Sequence, residues 1–426
     1  MSSTRSTAAA VSAMHMAEAT PAERILATRE EWIHGRTEAA EFAQGLLLQS
    51  LCAALTTKKR PPEGLTEAQV ELVRDGGRAI LRVAREAMAP LGPVGHLLTA
   101  IGGAAHLARP HFPHSMTRWY PCDFPLARLT EDTLQRFVLV EQPVSERMAR
   151  AALGLAPAPI VYNRVGELYR AIQHGLHLAE TRLRGQRQPL FIGPQEAQDA
   201  DDWPARLHVR HVTDLASAQA AGECLIIAGE GAPANRQGSP YPTLVDMLTA
   251  FRRARERAPA CDPARPVGLH PATREPRDAG PGCPLLHAGT AAHAVAALCH
   301  VVYTTMLLMV MQCYDCGDET PAQRAALPAG IRQARSALMR PLVAVLSALP
   351  AGAPAPGRHA GPGFELDGDL RLPSQARSRW VVLLERIRTA TVECRRVFTS
   401  GREALSRLGF IARNMECLAN KIAAVS

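Results

Sequence analysis

Apolar positions recur along most of the chain with the 3.6-residue period of an α-helix, and few segments alternate as strands do. Ile80, Val83, Ala84, Ala87, Met88 and Leu91 trace one apolar face of a single helix. The same period predicts helices over 37–55, 166–182, 214–228, 244–257, 292–313 and 321–349, and two more between 375 and 425. Pro and Gly gather at 258–284 and 350–363, which are therefore loops: Pro stops helix propagation and Gly lowers helix propensity. Residues 109–125, RPHFPHSMTRWYPCDFP, are Pro-rich and aromatic, which predicts an ordered irregular crossover. No repeat of fixed period is visible. The pattern gives an all-α protein, a helical bundle with long crossover connections and additional C-terminal helices.

The stretch 291–312, AAHAVAALCHVVYTTMLLMVMQ, is long and apolar enough to span a bilayer. Its two His, its Tyr and its paired Thr, and the absence of a basic anchor cluster on one flank, favour a helix buried in a large soluble bundle instead. Residues 1–22 are rich in Ser, Thr and Ala with no apolar run of signal-peptide length. They are expected to form a flexible tail, followed by a helical domain over 23–370 and C-terminal helices over 371–426 packing on it. The expected location is cytoplasmic.

Composition narrows the class. With 47% hydrophobic and 21% charged residues, the 426-residue chain excludes collagen-like, coiled-coil and wholly disordered readings. Its net charge of +8 is spread out, and the densest cluster, Lys58, Lys59 and Arg60, is too short for a phosphate-binding track, so no nucleic acid is expected. Arg heavily outnumbers Lys, a bias of GC-rich bacterial genomes. Ten Cys scattered through so long a chain read as reduced thiols rather than a disulfide framework. Cys313 and Cys316 form a lone CYDC with no second pair, so neither a structural zinc site nor a thioredoxin-like centre is expected.

Polar residues on otherwise apolar helices are the informative ones. Glu41, Glu86, Glu167 and the pair Glu223 and Glu230 place carboxylates on four predicted helices. Four helices each projecting a carboxylate inward is the arrangement that holds two metal ions, usually with His three residues after a Glu. Here those positions are Gln44, Ala89 and Arg170, and the alternative, Glu on solvated helix faces, stays open. His293 and His300 fall on one helical face that Tyr303 and Thr304 continue, and His174 lies two turns after Glu167. A buried neutral His, or a buried Glu with a raised pKa, suits proton transfer near neutral pH. Gly229 and Gly231 bracket Glu230 and mark either a helix end or a close backbone approach.

Several segments in order carry a resemblance: AAEFAQGLLLQSLCAA at 39–54, AREAMAPLGPVGHLLTAIGG at 84–103, RPHFP, FVLVEQP at 137–143, VGELYRAIQHGL, LFIGPQEAQ at 190–198, VTDLASAQAAGECLIIAGEGA, SPYPTL and AGPGFEL at 360–366. Together they resemble the ferritin-like domain family of the violacein-pathway iminophenyl-pyruvate dimer synthase and of chromopyrrolate-type synthases. The match covers 37–257 and continues patchily to 366. It implies a ferritin-like bundle and a role in bacterial secondary-metabolite biosynthesis. Where the family carries metal-binding residues, this chain has Ala43 for Glu, Gln44 for His, Ala87 for Glu, Pro90 for His and Pro240 for His, and His96 stands where the family tends to have Asn.

The loss of imidazoles and carboxylates implies a degenerate site without a di-iron centre, so no metal and no cofactor are expected. Smaller side chains there would leave a cavity for a small molecule. The expected function is metal-independent coupling, cyclisation or rearrangement of an aromatic or amino-acid-derived intermediate. Glu167 and Glu230 are the candidate acid/base groups, and Glu41, Glu86, His96, His174, His300 and Tyr303 the candidate substrate contacts. Two alternatives stay open: a non-catalytic intermediate-binding or scaffold protein, and a metal-dependent oxygenase with a rearranged ligand set. The expected partners are the small-molecule intermediate and a partner pathway enzyme, with no membrane; an oligomer is allowed.

Overall fold

A computed structural model of the chain describes residues 29–88, 91–103, 107, 112, 125–141, 165–193, 211–228, 240–259, 261–273, 286–314, 318–352, 357–366, 370–399 and 405–426. The described elements are α1 (Arg29–Leu55), α2 (Glu67–Met88), α3 (Leu91–Ala100), α4 (Glu131–Val140), α5 (Val165–Gly185), α6 (Leu215–Ala228) and α7 (Pro240–Arg257). They continue with α8 (Ala291–Tyr314), α9 (Pro321–Gln333), a π-helical turn (Ala334–Met339), α10 (Arg340–Leu346), α11 (Ala376–Phe398) and α12 (Leu408–Ala423). β-type pairing among these residues is confined to isolated bridges, Thr57 with Ala264 and His359 with Val267 and Pro350. The fold is all-α, as the periodicity predicts.

Two helices form the centre. The second half of α1 is buried on every side, with Ala43, Leu46, Leu48, Gln49, Ser50, Cys52 and Ala53 all inaccessible, because an apolar run without a polar stripe has no face to give to water. α8 is the other. It is long and apolar enough to cross a membrane, yet 78% of its most apolar window is buried inside the protein, and it packs on α3, α9, α10 and α11. It is a core helix of the fold. Around this pair α2 packs on α1 and α7, α4 on α7, and α11 on α12. A smaller apolar cluster joins Leu97 and Ile101 to Leu176 of α5 and Ala218 of α6. Helices α5 and α6 approach closely where Gly222 faces Gln173: a Cβ at 222 would come within 2.6 Å of the Gln173 amide nitrogen.

Local chemistry sets several boundaries. Thr130 accepts from the Thr133 amide to start α4, and Thr320 with Gln323 forms a capping box at α9. The 321–349 stretch, expected as one helix, is divided into α9, the π-turn and α10. Pro341 has no N–H, and its ring would press on the carbonyl of residue 337. The preceding turn widens instead, and the Arg340 amide donates to the carbonyl of Arg335, five residues back. Helix α4 was not expected from periodicity, being only 10 residues long. The crossover over 109–125 lies outside the described residues except for Phe112 and Pro125.

The loops over 258–284 and 350–363, where described, are tied down. Arg265 donates to both oxygens of the Glu63 carboxylate (3.1 and 3.2 Å), to the Ala344 carbonyl (3.1 Å) and to the Ser347 hydroxyl (2.7 Å). The His359 amide donates to the Pro266 carbonyl at 3.0 Å, which lays 357–366 along 261–273. This arrangement delivers the end of that loop to the middle of α8.

Candidate functional site

At the centre of the bundle the amide nitrogen of Gln44 on α1 donates to the Tyr303 phenol oxygen on α8, at 2.8 Å and fully buried. Gln44 Oε1 has no hydrogen-bond partner among the described residues. A buried amide left half satisfied is costly in an apolar core, and such groups are kept where something else uses them. Phe364 meets Tyr303 edge to face, with ring centroids 5.4 Å apart and 68° between planes.

The backbone of Phe364 has a φ of +49°, a left-handed conformation that a bulky residue rarely adopts. Tight packing on both sides holds it there. A Cβ at Gly363 would lie 2.4 Å from the Pro271 carbonyl oxygen, and one at Gly361 would lie 2.2 Å from Val267, so only Gly fits at either place. The next residue, Glu365, accepts from the Thr273 amide (2.9 Å) and the Thr273 hydroxyl. Its carboxylate stands 3.4 Å from His300 Nε2, one turn of α8 before Tyr303. Thr304, the next position on α8, is buried with its hydroxyl unpartnered among the described residues.

Gln44, Tyr303 and Phe364 line a cavity of about 80 Å³, otherwise walled by Leu47, Leu51, Leu91, Leu107, Met306 and Met339 and edged by Arg85, Arg335 and Arg340. His300 and Glu365 stand outside its wall. A larger cleft of about 410 Å³ opens between the start of α8, including His293, and Glu393 and Arg396 of α11. The smaller cavity is the better candidate because the residues of the buried Gln44–Tyr303 pair line it at the centre of the bundle.

The structure brings His300 and Tyr303 together and leaves the other expected residues apart or undescribed. His293 is half-buried in the larger cleft instead of sharing the His300 environment. His96 is fully buried, but it packs edge-on to Tyr314 with centroids 5.9 Å apart, three turns of α8 beyond Tyr303. His174 and Glu223 are exposed, and Glu41 is half-buried. Glu86 and Glu167 lie on α2 and α5 with side chains outside the described set, and Gly229, Glu230 and Gly231 lie outside it altogether. Sequence reasoning missed Phe364, Glu365 and the three Arg, and treated Gln44 only as a lost ligand. The GPG before Phe-Glu is the signal for the loop; nothing local marks the Arg.

The described part of the centre does not fit a carboxylate-and-imidazole di-iron pair. Ala43 offers no donor atom, and the Gln44 nitrogen is spent on Tyr303, leaving one neutral amide oxygen. No three His, Cys, Asp or Glu side chains among the described residues are grouped to hold a metal ion. The buried thiols are poor nucleophiles: burial pushes Cys52 up to about 12 and Cys394 up to about 11. Of the CYDC, Cys313 is buried and Cys316 lies outside the described residues.

Comparison with a family model agrees with this architecture. The ferritin-like family model matches residues 38–246. A dichlorochromopyrrolate synthase of Lentzea aerocolonigenes is 30% identical over 314 residues, covering 69% of this chain and 30% of that protein. A 2-imino-3-(indol-3-yl)propanoate dimerase of Chromobacterium violaceum is 26% identical over 361 residues, covering 78% of this chain and 34% of that protein. The chain thus spans about a third of the length of these curated relatives. A solved ferritin-like protein from Caulobacter vibrioides aligns with 71% of this chain and 94% of its own, at 15% identity and a TM-score of 0.43.

Proposed function

Residues 38–246 belong to the ferritin-like family, and on that premise we propose that the protein is a natural-product biosynthetic enzyme that couples, cyclises or rearranges an aromatic, amino-acid-derived intermediate without a di-iron centre. The observation that carries the proposal is the buried Gln44–Tyr303 pair in the central cavity. Gln44 donates to the phenol oxygen and so holds Tyr303 at the cavity wall, where its proposed role is to orient or protonate a bound group. Gln44 Oε1 accepts from an N–H or O–H of the same molecule. The Phe364 and Tyr303 rings supply an apolar, aromatic wall for a planar body. The His300–Glu365 contact, one turn away, ties the face of α8 that bears Tyr303 to the 357–366 loop.

The relatives support the substrate class, since one is named for an indole-bearing imino acid and its dimerisation. Glu167 and Glu230 enter the proposal as further acid/base groups, and the small-molecule intermediate is the proposed partner, met in the cytoplasm. The test is incubation of the purified chain with indole-3-pyruvate imine generated in situ, with products followed by mass spectrometry. The wild type is expected to form, under chelation, the redox-neutral adduct in which the enamine carbon of one molecule adds to the imine carbon of another and a proton passes to that imine's nitrogen, and Y303F to lose it. Unchanged product with Y303F overturns the role of Tyr303; product only after iron loading overturns the metal-free reading; loss with E167Q and not with Y303F moves the acid/base role to Glu167.

A further inference from the structure

The π-turn has a consequence for the cavity it borders. In an α-helix, residues five apart point about 140° away from each other. Across Ala334–Met339 the Arg340 amide reaches the Arg335 carbonyl, so the two residues are stacked one turn apart, and both line the cavity. Arg85, in the last turn of α2, faces them across it. Arg85 and Arg340 are exposed while Arg335 is half-buried, so the three mark where the cavity reaches the surface.

No ion pair joins any of the three to a carboxylate among the described residues. Elsewhere in the same chain Arg is matched readily, Arg265 with Glu63, Arg128 with Asp262 and Arg379 with Glu319. Burial, and then the charges of Arg85, Arg340 and Arg332, hold the Arg335 guanidinium below its ordinary value. Three cations near one another with no counter-charge among the described residues repel one another, and an arrangement of that kind is stabilised when an anion completes it. Deeper in the same cavity, the unpartnered Gln44 Oε1 points to a polar group on the same ligand.

We propose that Arg335, Arg340 and Arg85 form an anion clamp, which holds the carboxylate or phosphate of an organic acid whose apolar body enters the cavity toward Gln44, Tyr303 and Phe364. This rests on the reading of that cavity as the functional site. The π-turn is the device that builds the clamp: a regular α-turn would carry Arg340 away from Arg335. Arg is suited to the task because its planar fork gives two parallel hydrogen bonds to a carboxylate or phosphate.

Isothermal titration calorimetry on the full chain tests the clamp with indole-3-propionate, the uncharged indole-3-propionamide and 3-(indol-3-yl)propyl phosphate. The wild type is expected to bind an anionic probe about tenfold or more tighter than the amide, a difference between a charge-assisted and a neutral hydrogen bond. In R335Q that preference falls below about threefold, and Tm is equal or higher because a like charge is removed. A stronger preference for the phosphate assigns the clamp a phosphate ester, and one for the propionate a carboxylate. Equal binding of acid and amide by the wild type, or an undiminished preference in both R335Q and R340Q, overturns the clamp. Amide binding abolished by Q44M while R335Q changes nothing leaves the cavity reading standing without the clamp; binding of no probe overturns both.

Discussion

Replacing Gln44 by Met separates stability from function at this centre. The Gln44–Tyr303 hydrogen bond at 2.8 Å contributes about 0.5–1.5 kcal/mol net, whereas the unpartnered Oε1 costs about 1–3 kcal/mol. Met has a similar length and no buried acceptor to desolvate. Q44M is therefore expected within about 1 kcal/mol of wild type once the Tyr303 oxygen has lost its donor. Y303F leaves the whole amide unsatisfied and should lose about 1–3 kcal/mol, while the Q44M/Y303F double variant, apolar on both sides, should return to wild-type stability or exceed it. Equilibrium denaturation followed by fluorescence of the buried Trp380 reads each variant. All three are expected to lose substrate binding or turnover. If Q44M and the double variant each lost more than about 3 kcal/mol, the polar pair would be cement of the core and the reasoning would be refuted.

Phe364 gives a second check: F364A should lose about 3–5 kcal/mol of packing, partly offset by relief of its left-handed backbone, and F364G should be at least as stable as F364A. Thermal unfolding that ranks F364A clearly above F364G contradicts the strain argument. G363A places a methyl 2.4 Å from the Pro271 carbonyl and should both destabilise by about 1–3 kcal/mol and displace Glu365 from His300; an unchanged Tm shows that the loop is slacker than described. At Glu63 burial raises the carboxyl, but the hydrogen bonds and charge of Arg265 outweigh it and hold the group below its usual range. A carboxyl depressed in the folded state adds stability above its unfolded value of about 4.3, and loses it as pH falls through the folded value. The Tm difference between wild type and E63Q should be full near about pH 6 and shrink below about pH 4, and a pH-independent difference argues against it.

The helices most legible in the sequence are those whose burial is strongest. The 291–312 run reads as a core helix because its two His, its Tyr and its paired Thr interrupt an otherwise apolar run, and α8 is that helix. The Gly- and Pro-rich stretches read as loops for the same local reasons that make them loops here. The π-turn was not legible: 321–349 has a continuous apolar period, and widening by one residue before Pro341 leaves no trace in it. Helix α1 starts at Arg29, ahead of the expected 37, because its first turns carry few apolar residues. At the site, His300 and Tyr303 were readable as polar groups on an apolar face. Their partners were not, since Gln44, Phe364 and Glu365 arrive from α1 and from a loop late in the chain. Ridges and grooves, not sequence spacing, decide that meeting. The family resemblance pointed to the position of Gln44 but only as the place of a missing imidazole; the structure gives the amide a partner and one unsatisfied atom.

The most direct test of the central claim is a crystal structure of the full chain soaked with indole-3-propionate. The account predicts the cavity widened to take the indole between Phe364, Tyr303 and Met306, a polar contact to Gln44 or Tyr303, and the carboxylate toward Arg335. Well-ordered ligand only in the cleft beside His293 and Arg396, with the central cavity unchanged, would contradict it.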